Sequence, residues 1–138
     1  MSFQVEGKVA VVTGGSSGIG LAAVEILVAE GAKVAWCGRD EQRLAESKNY
    51  ILEKYPQAHI FTQACNVLDK QDVKRFAQQV NQNLGNVDML INNAGQGRVS
   101  NFEDTQDEDW MKEIELKYFS VLHPVRAFLD DLKKSGCG

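Results

Sequence analysis

The sequence predicts an α/β fold, a parallel sheet wound with helices on both faces. Three observations carry that prediction. Short apolar runs alternate with segments of helical period along the whole chain. The first run, VAVV at residues 9–12, is continuously apolar, as a central parallel strand covered on both faces requires. Thr13-Gly14-Gly15-Ser16-Ser17-Gly18-Ile19-Gly20 follows it directly and reads as a tight turn feeding a helix N-terminus.

Residues 18–30 place Ile19, Ala22, Ala23, Ile26, Leu27 and Glu30 at helical spacing, and Gly31 stops the helix. Residues 33–37 (KVAWC) read as the second strand. Asp40 is a good N-cap for a helix over 41–55, which ends before Pro56. Residues 60–65 form the third strand. Asp69, with Asp72 three residues on, opens a helix over 71–84 that ends near Gly85. Residues 87–92 (VDMLIN) form the fourth strand, and 92–97 is a loop of turn formers.

Thr105-Gln106-Asp107-Glu108 spells a capping box before a long helix over 106–134. Pro124 should kink that helix, because it lacks an N–H and crowds the carbonyl of Ser120. Trp110, Ile114, Tyr118, Val121, Val125, Phe128, Leu129 and Leu132 make a stripe at spacings of three and four, expected to pack on the core. The resulting order, β-α-β-α-β-α-β-α, implies right-handed crossovers and a single domain over residues 1–138.

With 43% hydrophobic and 25% charged residues, the composition suits one soluble globular domain. A net charge of −4 without a basic stripe argues against nucleic acid as a partner. No apolar run approaches the ~18–20 residues of a membrane span. The start MSFQVEGK lacks the apolar core of a secretion signal, so a cytoplasmic protein is expected. Cys37, Cys65 and Cys137 are far apart, there is no CxxC, and His numbers two, so neither a disulfide framework nor a metal site is indicated. Cys37 and Cys65 end apolar runs and read as buried free thiols.

A glycine turn at a helix N-terminus aims backbone N–H groups at an anion. Gly14 permits the turn, Gly18 lets a pyrophosphate approach the backbone, and Gly20 allows close packing of helix on strand. Ser16 and Ser17 add hydroxyl donors beside Ile19. The alternative, a tight turn without ligand, is disfavoured by its place after a strand and before a helix. A P-loop is disfavoured because no Lys follows the glycines.

Dinucleotide sites that take NAD place an acid at the end of the second strand, ~20 residues past the glycines. Here Gly38 holds that position and Arg39 follows, which suits a 2′-phosphate by charge and by fork-shaped hydrogen bonding. NADP(H) is therefore expected over NAD(H). The alternative is a solvated Arg39 paired with Asp40 or Glu41.

The glycine motif together with Asn92-Asn93-Ala94-Gly95 after the fourth strand resembles the short-chain dehydrogenase/reductase family. The resemblance covers essentially all of the chain but only the first half of the usual family domain. It implies a Rossmann-type, doubly wound parallel sheet in the order 3-2-1-4, here truncated before the fifth strand. It also implies hydride transfer between NADPH and a carbonyl or alcohol substrate. The backbone around Asn93, Ala94 and Gly95 would line the adenosine and nicotinamide-ribose side of the cofactor. Where the family often has Asp-Val, Asn66-Val67 stands here; Asn66 keeps an acceptor for the adenine amino group, and Val67 would touch the adenine face. The alternative is an Asn66 that only caps a strand or turn.

The resemblance places the catalytic Ser and Tyr-x-x-x-Lys beyond Gly138, so no catalytic residue is expected within the chain. Weak cofactor binding and no turnover follow. Tyr50 and Lys54 fit Tyr-x-x-x-Lys by spelling, but they lie on the second helix, away from the nicotinamide end. An Asn that the family commonly has about seven residues after the Trp is Lys117 here, counting from Trp110. That Lys could donate a proton, belong to a divergent branch, or sit exposed beside Glu113 or Glu108. The rival expectation is a non-catalytic NADP(H)-binding or interaction protein. The fourth strand would be an apolar edge, and Trp110, Phe119 and Phe128 would be partly exposed, so a fragment associating with itself into a homo-oligomer is expected.

Overall fold

The computed structural model describes residues 4–96 and 100–138. It contains β1 (Val9–Thr13), α1 (Gly18–Ala29), β2 (Lys33–Gly38), α2 (Glu41–Lys54), β3 (Ile60–Ala64), α3 (Lys70–Leu84), β4 (Met89–Asn92) and α4 (Asp107–Ser135). The strands form one sheet in the order β3-β2-β1-β4. Every pairing is parallel, with Val11 level with Ala35 on one side and Leu90 on the other. The parallel sheet is the one expected from the alternation of elements, and its order is the one the resemblance implies.

Successive strand residues face opposite layers. Val9, Val11, Ala35 and Cys37 face α3 and α4, where Val73, Phe76, Val80 and Phe128 close the layer. Ala10, Val12, Val34 and Trp36 face α1 and α2, against Val24, Leu27, Leu44 and Ile51. Because both faces are covered, β1 has no exposed position, which is why its sequence is apolar without alternation. Trp36 is fully buried, and its Nε1–H donates to Ser47 Oγ at 2.9 Å, so its polar edge is satisfied inside the core. Ser47 in turn donates to the Leu44 carbonyl at 2.8 Å.

Several local expectations change. Of the apolar set assigned to the first helix, Ile19 and Ile26 are exposed, while Val24, Leu27 and Val28 are buried. β4 begins at Met89 because Val87 gives its N–H to the Asp131 carboxylate rather than to a strand. The capping box slides by one residue: α4 starts at Asp107, and the Asp109 carboxylate accepts from the N–H of Gln106. Thr105 instead donates to the Asn101 carbonyl, within the preceding loop.

The helix runs unbroken through Pro124, which is buried. Its apolar stripe divides. Phe128 is 1% exposed, packing edge-on against Phe76 at 6.2 Å between ring centroids, so it is core rather than partly exposed as expected. Trp110, Ile114, Tyr118, Val121 and Leu129, expected to pack on the core, are exposed among the described residues. The buried residues of α4, Ser120, Pro124 and Phe128, begin midway along it; nearer its start, Trp110 lies beside Phe102, with 6.3 Å between ring centroids.

Cys37 and Cys65 are free and buried, and Cys137 is exposed. Among the described residues, no group of three or more His, Cys, Asp or Glu could hold a metal, and no helix is long and apolar enough to cross a membrane.

Candidate functional site

The C-terminal ends of the four strands open into one cleft of about 850 Å³. It lies where the sheet order reverses between β1 and β4, the place at which open parallel sheets bind ligands.

The floor is built by the turn after β1. Thr13 is buried, and its Oγ1 accepts the N–H of Asn93 at 3.1 Å and of Ala94 at 3.0 Å. Asn93 Nδ2 donates to the Gly14 carbonyl at 3.0 Å. These three bonds lash the loop after β4 to the glycine turn. The Asn93 side chain is thus a structural tie, and it is the backbone of Asn93, Ala94 and Gly95 that reaches the cleft wall. Gly14 takes φ +67°, and a Cβ there would stand 2.9 Å from Ala94 Cα, so both conformation and space demand glycine. Gly18 takes φ +54° with nothing within 4 Å of where a Cβ would be, so it opens α1 toward free space. A Cβ on Gly20 would collide with the Gly14 carbonyl, so Gly20 packs against the turn itself.

Of the residues singled out from sequence, Gly14, Ser16, Ser17, Ile19, Arg39, Asn66, Val67, Asn93, Ala94 and Gly95 line the cleft. Gly18 and Gly20 support it from the start of α1. The loop's last residue, Gly97, lies outside the described residues. Ile19 is 83% exposed, an apolar side chain at the cleft mouth on the first turn of the helix. Ser17 precedes α1 in an extended conformation and makes no side-chain cap bond, which leaves the first N–H groups of the helix without that partner.

The β2 side carries the charge. Arg39 lines the cleft and has no ion-pair partner among the described residues. Asp40, weighed above as its partner, caps α2 by accepting from the N–H of Arg43 at 3.0 Å and lies 4.0 Å from Arg43 Nε. Arg43 also lines the cleft, so two guanidinium groups flank Gly38.

At the end of β3, Asn66 Oδ1 accepts from Leu68 N–H at 3.1 Å, an Asx turn, and the Asn66 N–H donates to Asp72 Oδ2 at 2.8 Å. That backbone bond, then the Arg75 side chain, holds the Asp72 carboxyl below its usual range. The turn role of Asn66 is therefore real, and the residue lines the cleft as well. The Val67 carbonyl accepts from His123 Nδ1 at 2.9 Å. The Cys65 thiol, hydrogen-bonded to Cys37 and buried, is pushed up in pKa and is not poised as a nucleophile.

On α4, Leu116 lines the cleft, while Lys117 is exposed and pairs with Glu113 at 3.8 Å. Tyr50 and Lys54 lie away from the cleft: Tyr50 donates to Glu25 at 2.9 Å, and Lys54 Nζ donates to Tyr50 Oη at 2.7 Å and to Glu25 at 2.8 Å.

Sequence reasoning named Gly38 only as standing where an acid would be, and it missed Arg43 and the packing around Gly15 and Gly38. A Cβ on Gly15 would fall 2.5 Å from Trp36 Cβ, and one on Gly38 would fall 2.9 Å from Ser16 Oγ. Those glycines are legible only once β1 and β2 are laid side by side. Arg43 could have been found, since an N-cap at Asp40 places it on the first turn of α2, next to Arg39.

A family model described as short chain dehydrogenase matches residues 8–138. A 3alpha-hydroxysteroid dehydrogenase of Mediterraneibacter gnavus is 32% identical over 100% of this chain and 55% of its own length. The human 15-hydroxyprostaglandin dehydrogenase, named for NAD(+), is 35% identical over 99% of this chain and 48% of its own. An NADPH-bound short chain oxidoreductase of Pseudomonas aeruginosa, described as containing an atypical catalytic center, superposes with a TM-score of 0.90 at 53% identity, covering 92% of this chain and 49% of that one. The chain thus spans about half the length of the relatives it matches.

Proposed function

The chain belongs to the short-chain dehydrogenase family, and from that premise we propose that it is the NADP(H)-binding half of an oxidoreductase acting on a carbonyl or alcohol substrate. The family includes an NAD(+) enzyme and an NADPH-bound one among the relatives above, so the choice of cofactor rests on this chain's own residues. The single observation that carries it is Arg39, without an ion-pair partner among the described residues, just past the end of β2 where an acid would bind a ribose 2′-hydroxyl, with Arg43 in the same cleft.

The residues fit a dinucleotide. The open space over Gly18 and the first N–H groups of α1 receive the pyrophosphate. Arg39 and Arg43 hold the 2′-phosphate, Arg39 without first surrendering an ion pair. Asn66 accepts from the adenine amino group with its remaining lone pair, and Val67 supplies an apolar wall. The loop tied to Thr13 and Gly14 sets the backbone of Asn93–Gly95 along the nicotinamide ribose. The bound cofactor supplies the hydride; this chain binds and orients it. No residue of the cleft is assigned a proton-transfer role.

Titration of the chain with NADPH and NADH tests the reading. NADPH should bind about tenfold tighter, the scale of one charge-assisted hydrogen bond. Arg39→Ala should reduce that preference and Arg39→Ala/Arg43→Ala should abolish it, with NADH affinity unchanged in both, and added salt should shrink it. Equal affinity for the two nucleotides in the unaltered chain would overturn it. Lys117 favours a second reading, a cofactor-binding protein without the usual chemistry, since its ion pair with Glu113 is the bland arrangement. Absence of turnover in a longer form that still binds NADPH would support that rival. We also propose self-association through the exposed apolar side of α4; light scattering showing a monomer would contradict it.

A further inference from the structure

We propose that the groove between α3 and α4 is a second binding site, for a small phosphate-bearing anion, formed by Lys70 and Lys74 of α3 and His123 and Arg126 of α4. The groove holds about 520 Å³, and no carboxylate lines it. On a chain of net charge −4, such a concentration of one sign is local and directional. Lys70, Lys74 and Arg126 have no ion-pair partner among the described residues. Of the acids nearby, Asp69 caps α3, Asp72 pairs with Arg75 at 2.9 Å, and Asp131, which does not line the groove, accepts from Val87 and from Asn81 of the lining. Asp130, one turn beyond Arg126, is exposed and does not line the groove.

The two walls are held rigidly. Phe76 and Phe128 lock α3 against α4, and His123 Nδ1 binds the Val67 carbonyl at 2.9 Å. A carbonyl only accepts, so Nδ1 carries the hydrogen and Nε2 is the free nitrogen of the ring. Nε2 accepts from a P–O–H group when the ring is neutral and donates to a phosphate oxygen when it is charged. Lys70 and Lys74 are one turn apart on the N-terminal half of α3, where the helix dipole adds to their charge. Arg126 offers the planar fork that suits phosphate oxygens. The confinement of these cations to one short groove, with no basic stripe continuing from it, fits a compact multiply charged anion rather than a nucleic acid backbone. The groove is separate from the cleft: the two share no lining residue, and the Val67 carbonyl bonded to His123 stands between them.

The ¹⁵N-labelled chain titrated with inorganic pyrophosphate at fixed ionic strength tests this. The amides of Gln71, Gln78 and Ala127 should shift and saturate. The apparent Kd read from them should rise at least tenfold in Lys74→Gln/Arg126→Gln, and should stay unchanged in Arg39→Ala, which alters only the cleft. Lys70→Gln alone should weaken binding severalfold and serves if the double variant loses its native spectrum. Groove amides that stay still, or an unchanged Kd in the variants, would overturn the site. Citrate at equal charge moving the same amides with the same affinity would overturn the phosphate assignment.

Discussion

β2 and β4 both run parallel to β1, one on each side, and they end very differently. The core of β2, Val34–Cys37, is fully buried; no residue of β4 is. The two runs are about equally apolar, VAWC against MLIN. β2 has β3 on its outer edge and helices on both faces, whereas β4 has no strand beyond it among the described residues. The Asn92 Oδ1 atom at its end is a buried acceptor without a partner. Apolar character proposes a strand; its neighbours decide how much water it sheds.

The same contrast recurs along α4, and substitutions there give the largest test. Phe128→Ala should cost about 3–5 kcal/mol, the range for a large buried aromatic, because it opens the layer beside Phe76. Trp36→Ala should cost a similar amount and also strip Ser47 of its donor. Tyr118→Ala, ten residues earlier on the helix, should fall within about 0.5 kcal/mol of the unaltered chain at concentrations dilute enough to keep the chain monomeric, since it is 63% exposed. Urea unfolding monitored by circular dichroism measures all three. Comparable losses at Phe128 and Tyr118 would mean that the N-terminal half of α4 is covered in solution, as self-association would cover it.

Much of this was legible in the residues. The unalternating VAVV run could only be a strand buried on both faces, and the glycines after it could only be a turn into a helix. Arg39 followed from counting to the end of the second strand. What escaped depends on contacts between distant segments. Gly15 is required by Trp36, and Gly38 by Ser16, each on the adjoining strand or turn. The helical period placed Trp110, Ile114 and Phe128 on one stripe, but period does not tell how far the sheet extends beneath it. The capping box was misplaced by one because Thr105 is consumed by the Asn101 carbonyl, a loop contact no local pattern contains.

A second, smaller test concerns Asp88, which joins the well-packed side to β4. Its carboxylate accepts from Val9 N–H at 2.9 Å and from Ser135 Oγ at 2.7 Å, so it ties β1, the approach to β4 and the end of α4. Burial pushes its pKa up, but the bonds from Val9 and Ser135 and the charge of Lys8 win, and the net shift is downward. A folded pKa below the unfolded value means that the carboxylate's contribution is complete above about pH 4 and is lost as pH falls through the lowered folded value. Asp88→Asn should therefore destabilise at pH 7 by about 1 kcal/mol and make stability flatter between pH 5 and pH 3. An acid limb as steep as that of the unaltered chain would move the effect to another carboxylate, with Asp72 the next to test.

The smallest effect is expected at Tyr50 and Lys54, which spell a catalytic motif and sit on the well-packed side. Their geometry has a structural purpose. Lys54 Nζ reaches both Tyr50 Oη and Glu25, and Tyr50 reaches Glu25, so the trio bridges α1 and α2 across their exposed seam. The bonds to Glu25 and then Tyr50 hold Lys54 protonated above its ordinary range, the opposite of what a proton-shuttling amine near neutrality needs. Their charges are open to solvent, where an ion pair contributes little and is screened by salt. Lys54→Met should leave NADPH affinity unchanged and move the melting temperature by no more than a degree or two, less still in high salt. A loss of cofactor binding in that variant would mean that the seam between α1 and α2 is coupled to the cleft.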